Sequence, residues 1–260
     1  MFMPELQRSE AFEWTQAAGG RVLQCVPLRE HAPHLFTTRD LQLRDDEAEW
    51  SAVAAAVGVP PSRLRLIRQV HGTDVAVARA GGVGPVNRPE ADVIVSNDPS
   101  IAIAVRVADC APILLADTRL GVVAAAHAGW RGAARGAAAK AVLALGEQFG
   151  SQPADLIAAI GPCLGPCCGE VGPEVAGAFR DAGHAEDDVQ RWFAPGAGDR
   201  SLLDLGRANV DQLVRAGVAR ARIYDAAICT KTHAQVFHSY RAAGAGAGRM
   251  AAVIRMKAKG

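Results

Sequence analysis

The chain has 260 residues, half of them hydrophobic, with 28 Lys and Arg against 27 Asp and Glu and a formal net charge of +1. That much apolar material builds a core and excludes a disordered protein. A balanced charge offers no basic face for nucleic acid, and no run of 18 or more apolar residues is present to span a membrane.

The opening stretch MFMPELQRSEAFEW carries charges where a signal peptide needs an apolar run. The chain therefore reads as a soluble, cytosolic protein, with its cysteines at 25, 110, 163, 167, 168 and 229 as reduced thiols.

RVLQCVPL (21–28) has the alternation of a strand. RDDEAEWSAVAAAVG (44–58) predicts a helix, with acids in its first turn and Gly58 and Pro60 to close it. LRLIRQV (64–70) predicts a strand that delivers His71, and a second strand follows a turn at Gly72. A loop rich in Gly and Pro covers 81–89. Next come four apolar runs, at 91–97, 101–109, 111–117 and 120–128, which suit strands buried on both faces. GAARGAAAKAVLALGEQFG (132–150) is the clearest helix, and DLIAAIG (155–161) another buried strand. Helices at 173–183 and 202–217, strands at 221–227 and 249–257, and a flexible loop at 242–248 complete the pattern. The strands lie too close together for helical crossovers. The expected fold is α/β of the mixed (α+β) kind: one domain over 1–260, a mixed β-sheet sandwich with helices packed on it.

Three segments share one form, an apolar strand that ends in a residue able to bind metal. They end in His71, Cys110 and His127. Two imidazoles and a thiolate suit a zinc ion with a fourth position open to substrate, and are too soft a set for magnesium or calcium. The same residues also admit Cys110 as a nucleophile with His71 or His127 as its base. Asp109 either orients an imidazole or caps a turn. In HAGWRGAARG (127–136), a helix start with Arg131 offers an anion pocket, or is a plain turn. Trp130 stacks on a planar ligand or covers the core. GPCLGPCCGEV (161–171) lacks CxxC zinc spacing; its closely spaced thiols invite a second metal or a redox role, but a rigid loop with small buried side chains is the favoured reading, with Glu170 a general acid or base or, preferably, an acid at a helix start.

QVHGTDV (69–75), VADCAPILLAD (107–117), AAAHAGWRG (124–132), AIGPCLGPCCGEV (159–171) and the C-terminal CT…FHSYR…GRMAAVI (229–254) occur in this order. Together they resemble the laccase-domain family over about residues 20 to 255. That family is described as polyphenol oxidase, as peptidoglycan editing factor, and as purine nucleoside phosphorylase with adenosine deaminase activity. The resemblance implies a zinc site from His71, Cys110 and His127, and phosphorolysis of adenosine, inosine, guanosine and S-methyl-5′-thioadenosine together with deamination of adenosine. Purine nucleosides and phosphate are the expected partners of a monomer or homodimer, with Arg131, Trp130 and Asp109 expected to bind substrate. Gly169, Ala242 and Ala247 stand where family members often carry an aromatic residue, Arg and Thr, which bears on substrate preference but not on metal ligation.

Three rival readings remain. A copper-dependent polyphenol oxidoreductase would take Cu2+ in place of zinc, but the seven histidines are scattered and form no His-x-His pair. A cysteine hydrolase would use Cys110 as nucleophile. A cytosolic factor editing peptidoglycan precursors would act without, or beside, the nucleoside chemistry.

Overall fold

The computed structural model describes residues 9–79 and 88–257. Most of the loop expected at 81–89 lies outside the described residues. The first half of the chain is mainly strand: β1 (Phe12–Ala17), β2 (Gly20–Cys25), the single turn α1 (Val26–Arg29), β3 (His34–Thr37) and α2 (Glu47–Ala56). β4 (Leu64–Leu66), β5 (Val75–Ala78), β6 (Val93–Ser96), β7 (Ala102–Val107), β8 (Ala111–Asp117) and β9 (Val123–Ala128) follow. The second half holds α3 (Trp130–Ala134), α4 (Ala137–Phe149), β10 (Leu156–Ile160), β11 (Glu170–Val171), α5 (Pro173–Asp181), α6 (Glu186–Trp192), β12 (Phe193–Pro195) and β13 (Ser201–Leu203). It ends with α7 (Leu205–Arg215), β14 (Ile223–Asp225), α8 (Tyr240–Ala243) and β15 (Met250–Arg255).

Two six-stranded sheets lie face to face, ordered β1-β2-β3-β15-β7-β4 and β14-β10-β8-β9-β6-β5. Both are mixed: β8 runs antiparallel to β9 and β10, whereas β5 is parallel to β6 and β4 to β7. The alternation of side chains along a strand explains the unbroken apolar runs. Ile103 and Val105 of β7 meet Leu114 and Ala116 of β8 between the sheets, while Ala102 and Ala104 face Trp50 and Val53 of α2. Ile113 and Leu115 turn the other way, toward α4 and α7. The result is a helix, two sheets and a further layer of helices, the mixed sandwich expected. Among the described residues no helix is long and apolar enough to cross a membrane.

α2 starts where its sequence says it should. Asp46 accepts hydrogen bonds from the N–H groups of Ala48 and Glu49, and Glu47 and Glu49 sit at the positive end of the helix. Several expectations need correction. The helix expected over 132–150 is two helices, because Gly136 takes φ 80°, a left-handed conformation that ends α3 after five residues. The strand expected to run to residue 28 gives way to α1 at Val26, with Pro27 in its first turn. The loop expected at 242–248 overlaps α8 and a following 3-10 turn.

Candidate metal centre

Strand register brings the site together. Val93 of β6 pairs with Ala126 of β9, and Pro112 of β8 pairs with His127. Asp92, His127 and Cys110 therefore lie at one end of three adjacent strands. His71 arrives from the crossing between β4 in one sheet and β5 in the other. The ligand atoms of His71, Cys110 and His127 all fall within 4.8 Å of one another. The His71 and His127 rings stand edge to face with centroids 4.9 Å apart, and Cys110 Sγ is 4.0 Å from His71 Nε2.

Asp92 organises this cluster. It is fully buried, and its Oδ1 accepts from His127 Nδ1 at 2.7 Å. The same carboxylate accepts from the backbone N–H groups of Val70, His71 and Gly72 at 3.1, 3.1 and 2.6 Å. Three successive donors make a cradle for an anion, which holds His71 at its uncommon φ of 59°. With Nδ1 committed to Asp92, His127 is left with Nε2 for the cluster. Burial alone would raise the Asp92 carboxyl, but the His127 hydrogen bond and the N–H groups of Gly72 and Val70 outweigh it and hold it low.

The cluster holds its protons so that a metal ion would have one to displace. Burial opposes ionisation of Cys110, yet the charge and hydrogen bonds of His127 and His71 pull the thiol down to about 6. Burial pushes His127 down, while Cys110 and Asp92 together lift it to about 9. A thiolate beside an imidazolium is a ligand set in which a metal ion replaces one proton. The backbone passes close enough to shape the seat: a Cβ on Gly129 would meet Cys110 Sγ at 2.8 Å and His71 Cδ2 at 3.1 Å. The soft, mixed donor set fits zinc, and copper by its chemistry, but no hard cation.

The cluster opens on a cleft of about 800 Å³ whose lining includes Arg44, Arg68, Arg106, Arg131, Arg241 and Arg249. Most of these cations are engaged. Arg68 pairs with Glu90, Arg44 reaches the carbonyl of Gly246, and Arg249 those of Ala247 and Gly248. The guanidinium of Arg106 has no hydrogen-bond or ion-pair partner among the described residues, although it is half-buried. Burial and the nearby charges of Arg88 and Arg249 lower its proton affinity, with only Asp45 opposing them.

The residues expected at the site stand as follows. Trp130 and Arg131 line the cleft, the guanidinium lying 4.2 Å from the Trp130 ring centre. The anion pocket expected at a long helix start loses that support, since α3 is too short for a substantial dipole. Asp109 lines the cleft, but its carboxylate accepts from Thr230 Oγ1 at 2.5 Å and from the Arg241 N–H at 2.6 Å. The imidazole-orienting role belongs to Asp92. Both Asp92 and Arg106 escaped the sequence reading, and the available signal was an ionisable residue inside an apolar strand run, ADVIVS and IAIAVRV.

Comparison with known proteins places these features. A family model described as multi-copper polyphenol oxidoreductase laccase matches residues 40–257. A purine nucleoside phosphorylase of Deinococcus radiodurans is 37% identical over 239 residues, 85% of this chain and 88% of that protein. Adenosine deaminase RL5, from an unknown prokaryotic organism, is 37% identical over 204 residues, 76% of each chain. The crystal structure of YlmD from Geobacillus stearothermophilus superposes with a TM-score of 0.86 at 27% identity, covering 96% of this chain and all of that one.

Proposed function

The chain belongs to the laccase-domain purine nucleoside phosphorylase family, and on that premise we propose that it is a zinc enzyme acting on purine nucleosides. Adenosine, inosine, guanosine and S-methyl-5′-thioadenosine are its phosphorolysis substrates, and adenosine is also deaminated at the same centre. The observation that carries this reading is the convergence of His71, Cys110 and His127 at an arginine-lined cleft. When bound there, zinc supplies Lewis acidity, which hydrolytic loss of the 6-amino group calls for.

The chain's own residues do the rest. Asp92 holds His127 in the tautomer that turns Nε2 to the cluster. Arg106 holds phosphate against the ribose, where positive charge grows as the glycosidic bond breaks. Arg131 lends a second cation at the rim. Trp130 offers a face for the base. Asp109, through the Arg241 backbone and Thr230, fixes the C-terminal wall of the cleft. Among the described residues only one group able to hold a metal contains histidine, which favours a single nucleoside centre over the several His-ligated coppers of a multi-copper oxidase.

Incubation of metal-analysed protein with adenosine, with and without phosphate, tests the reading. Adenine and ribose 1-phosphate should form only with phosphate, and inosine in both cases. Zinc-replete protein that turns over no purine nucleoside would refute it. Saturating inosine should block deamination; unchanged deamination would break the single-site part.

A further inference from the structure

GPCLGPCCGEV was expected to be a rigid loop with small buried side chains, and the structure departs from that. Cys167 is exposed and Cys168 half-buried. With buried Cys229, which follows β14, their three sulfurs lie within 4.8 Å of one another. The two segments are clamped by their backbones: the Cys163 N–H donates to Ile228 and the Thr230 N–H to Cys163, at 3.2 and 2.9 Å. Thr232 Oγ1 lies 3.3 Å from Cys167 Sγ and 3.5 Å from Cys168 Sγ, which orients both thiols.

We propose that Cys167, Cys168 and Cys229 form a second metal site, a three-thiolate seat for Cu(I). Sulfurs bonded at about 2.3 Å in a trigonal plane stand roughly 4 Å apart, so the cluster needs to contract only slightly. The donor set is all sulfur, softer than the His and Cys set at the first centre, which selects a thiophilic ion. A closed zinc site takes four protein ligands, and among the described residues no fourth His, Cys or carboxylate joins this group. Cu(I) is complete with three. Arg200, Lys231 and Arg241 line the surrounding depression against Glu170 and Glu174, a balance that favours an anionic thiolate complex.

The site reaches the nucleoside cleft through Arg241, whose Nη1 donates to the carbonyls of Cys168 and Glu170 and whose side chain lines the cleft wall. An ion on the thiols therefore stiffens that wall.

The test is anaerobic titration of Cys110→Ser protein, in which the first centre is silenced, with Cu(I) against a Cu(I)-specific chelator. One equivalent should bind, and Cu(I) should shield the exposed Cys167 from iodoacetamide. Binding should vanish in Cys110→Ser/Cys167→Ser, a change at an exposed position that leaves folding unaffected, and circular dichroism confirms the fold. No binding to Cys110→Ser, binding that persists without Cys167, or preferential loading with Zn(II) would each overturn the proposal.

Discussion

Replacing Asp92 with Asn changes one oxygen to NH2 with almost no change in shape. In the native site Oδ1 faces His127 Nδ1 and the His71 N–H, and Oδ2 faces the N–H groups of Val70 and Gly72. All four neighbours are donors, so either orientation of the amide sets an NH2 against two of them. With NH2 at the Oδ2 position, the part-buried N–H groups of Val70 and Gly72 lose their acceptor. With NH2 at the Oδ1 position, His127 must switch tautomer to accept, which puts a proton on Nε2 where the metal should bind. One unsatisfied buried donor costs about 1–3 kcal/mol. For a chain of this size that lowers Tm by roughly 2–10 °C. Loss of a carboxylate behind a ligand histidine weakens metal affinity roughly 10–100-fold, or about 1.4–2.8 kcal/mol. Chelator competition would measure the affinity of Asp92→Asn, and thermal unfolding of metal-free and zinc-loaded protein would separate the two effects. Unchanged zinc affinity with a lowered Tm would show that Asp92 supports the loop at 70–72 but does not orient His127.

Other outcomes follow from the same geometry. Arg106→Ala should raise the phosphate KM for phosphorolysis about 10–100-fold, the worth of a charged hydrogen bond, and leave deamination unaffected by comparison. Arg131→Ala, at an exposed arginine stacked on Trp130, should shift that KM less; equal losses in both reactions would remove these residues from the phosphate site. Gly129→Ala should bind little zinc while circular dichroism stays native, since its Cβ would press on Cys110 Sγ and His71 Cδ2; normal zinc content would refute the close-approach argument. His34 supplies a pH test. Burial, aided by the Arg29 charge and resisted by its bond to Ala32, lowers its pKa from 6.5 to about 4. The neutral ring is favoured in the fold, so its contribution is full above the unfolded pKa and is lost as pH falls through about 4. By pH 5 the loss reaches about 2 kcal/mol. Denaturant unfolding of His34→Gln should show a shallower decline between about pH 7 and pH 5 than the wild type; parallel curves would refute it.

Local pattern was enough for the elements that bury both faces. β6 to β10 are short apolar runs bounded by polar residues, and their side chains need no knowledge of a partner to declare themselves. His71, Cys110 and His127 stand out for the same reason, as single polar groups closing apolar strands, but that pattern left both metal binding and a Cys110 nucleophile open. β1, β3 and α6 were not read. FEWTQA is mixed, HLFT places a histidine in the core, and EDDVQRW is mostly polar. His34 is tolerated there because its Nδ1 donates to the nearby Ala32 carbonyl and Cys25 N–H donates to its Nε2, the latter a partner that arrives only when β2 lies beside β3.

The same holds for function. No spacing in the sequence shows that a carboxylate at 92 closes a network from 70 to 127, because strand register alone sets it beside both. Arginines at 44, 68, 106, 131, 241 and 249 are unremarkable singly and become a cationic cleft when β7, α3 and the C-terminal segment meet. Cys229, remote in sequence, reaches Cys167 and Cys168 through a backbone bridge from Cys163. Sequence determines which side chains can do chemistry and which faces are buried, since those follow from composition and short-range periodicity. Distances of a few ångströms between remote residues follow from packing two sheets against each other, and only the tertiary structure decided them.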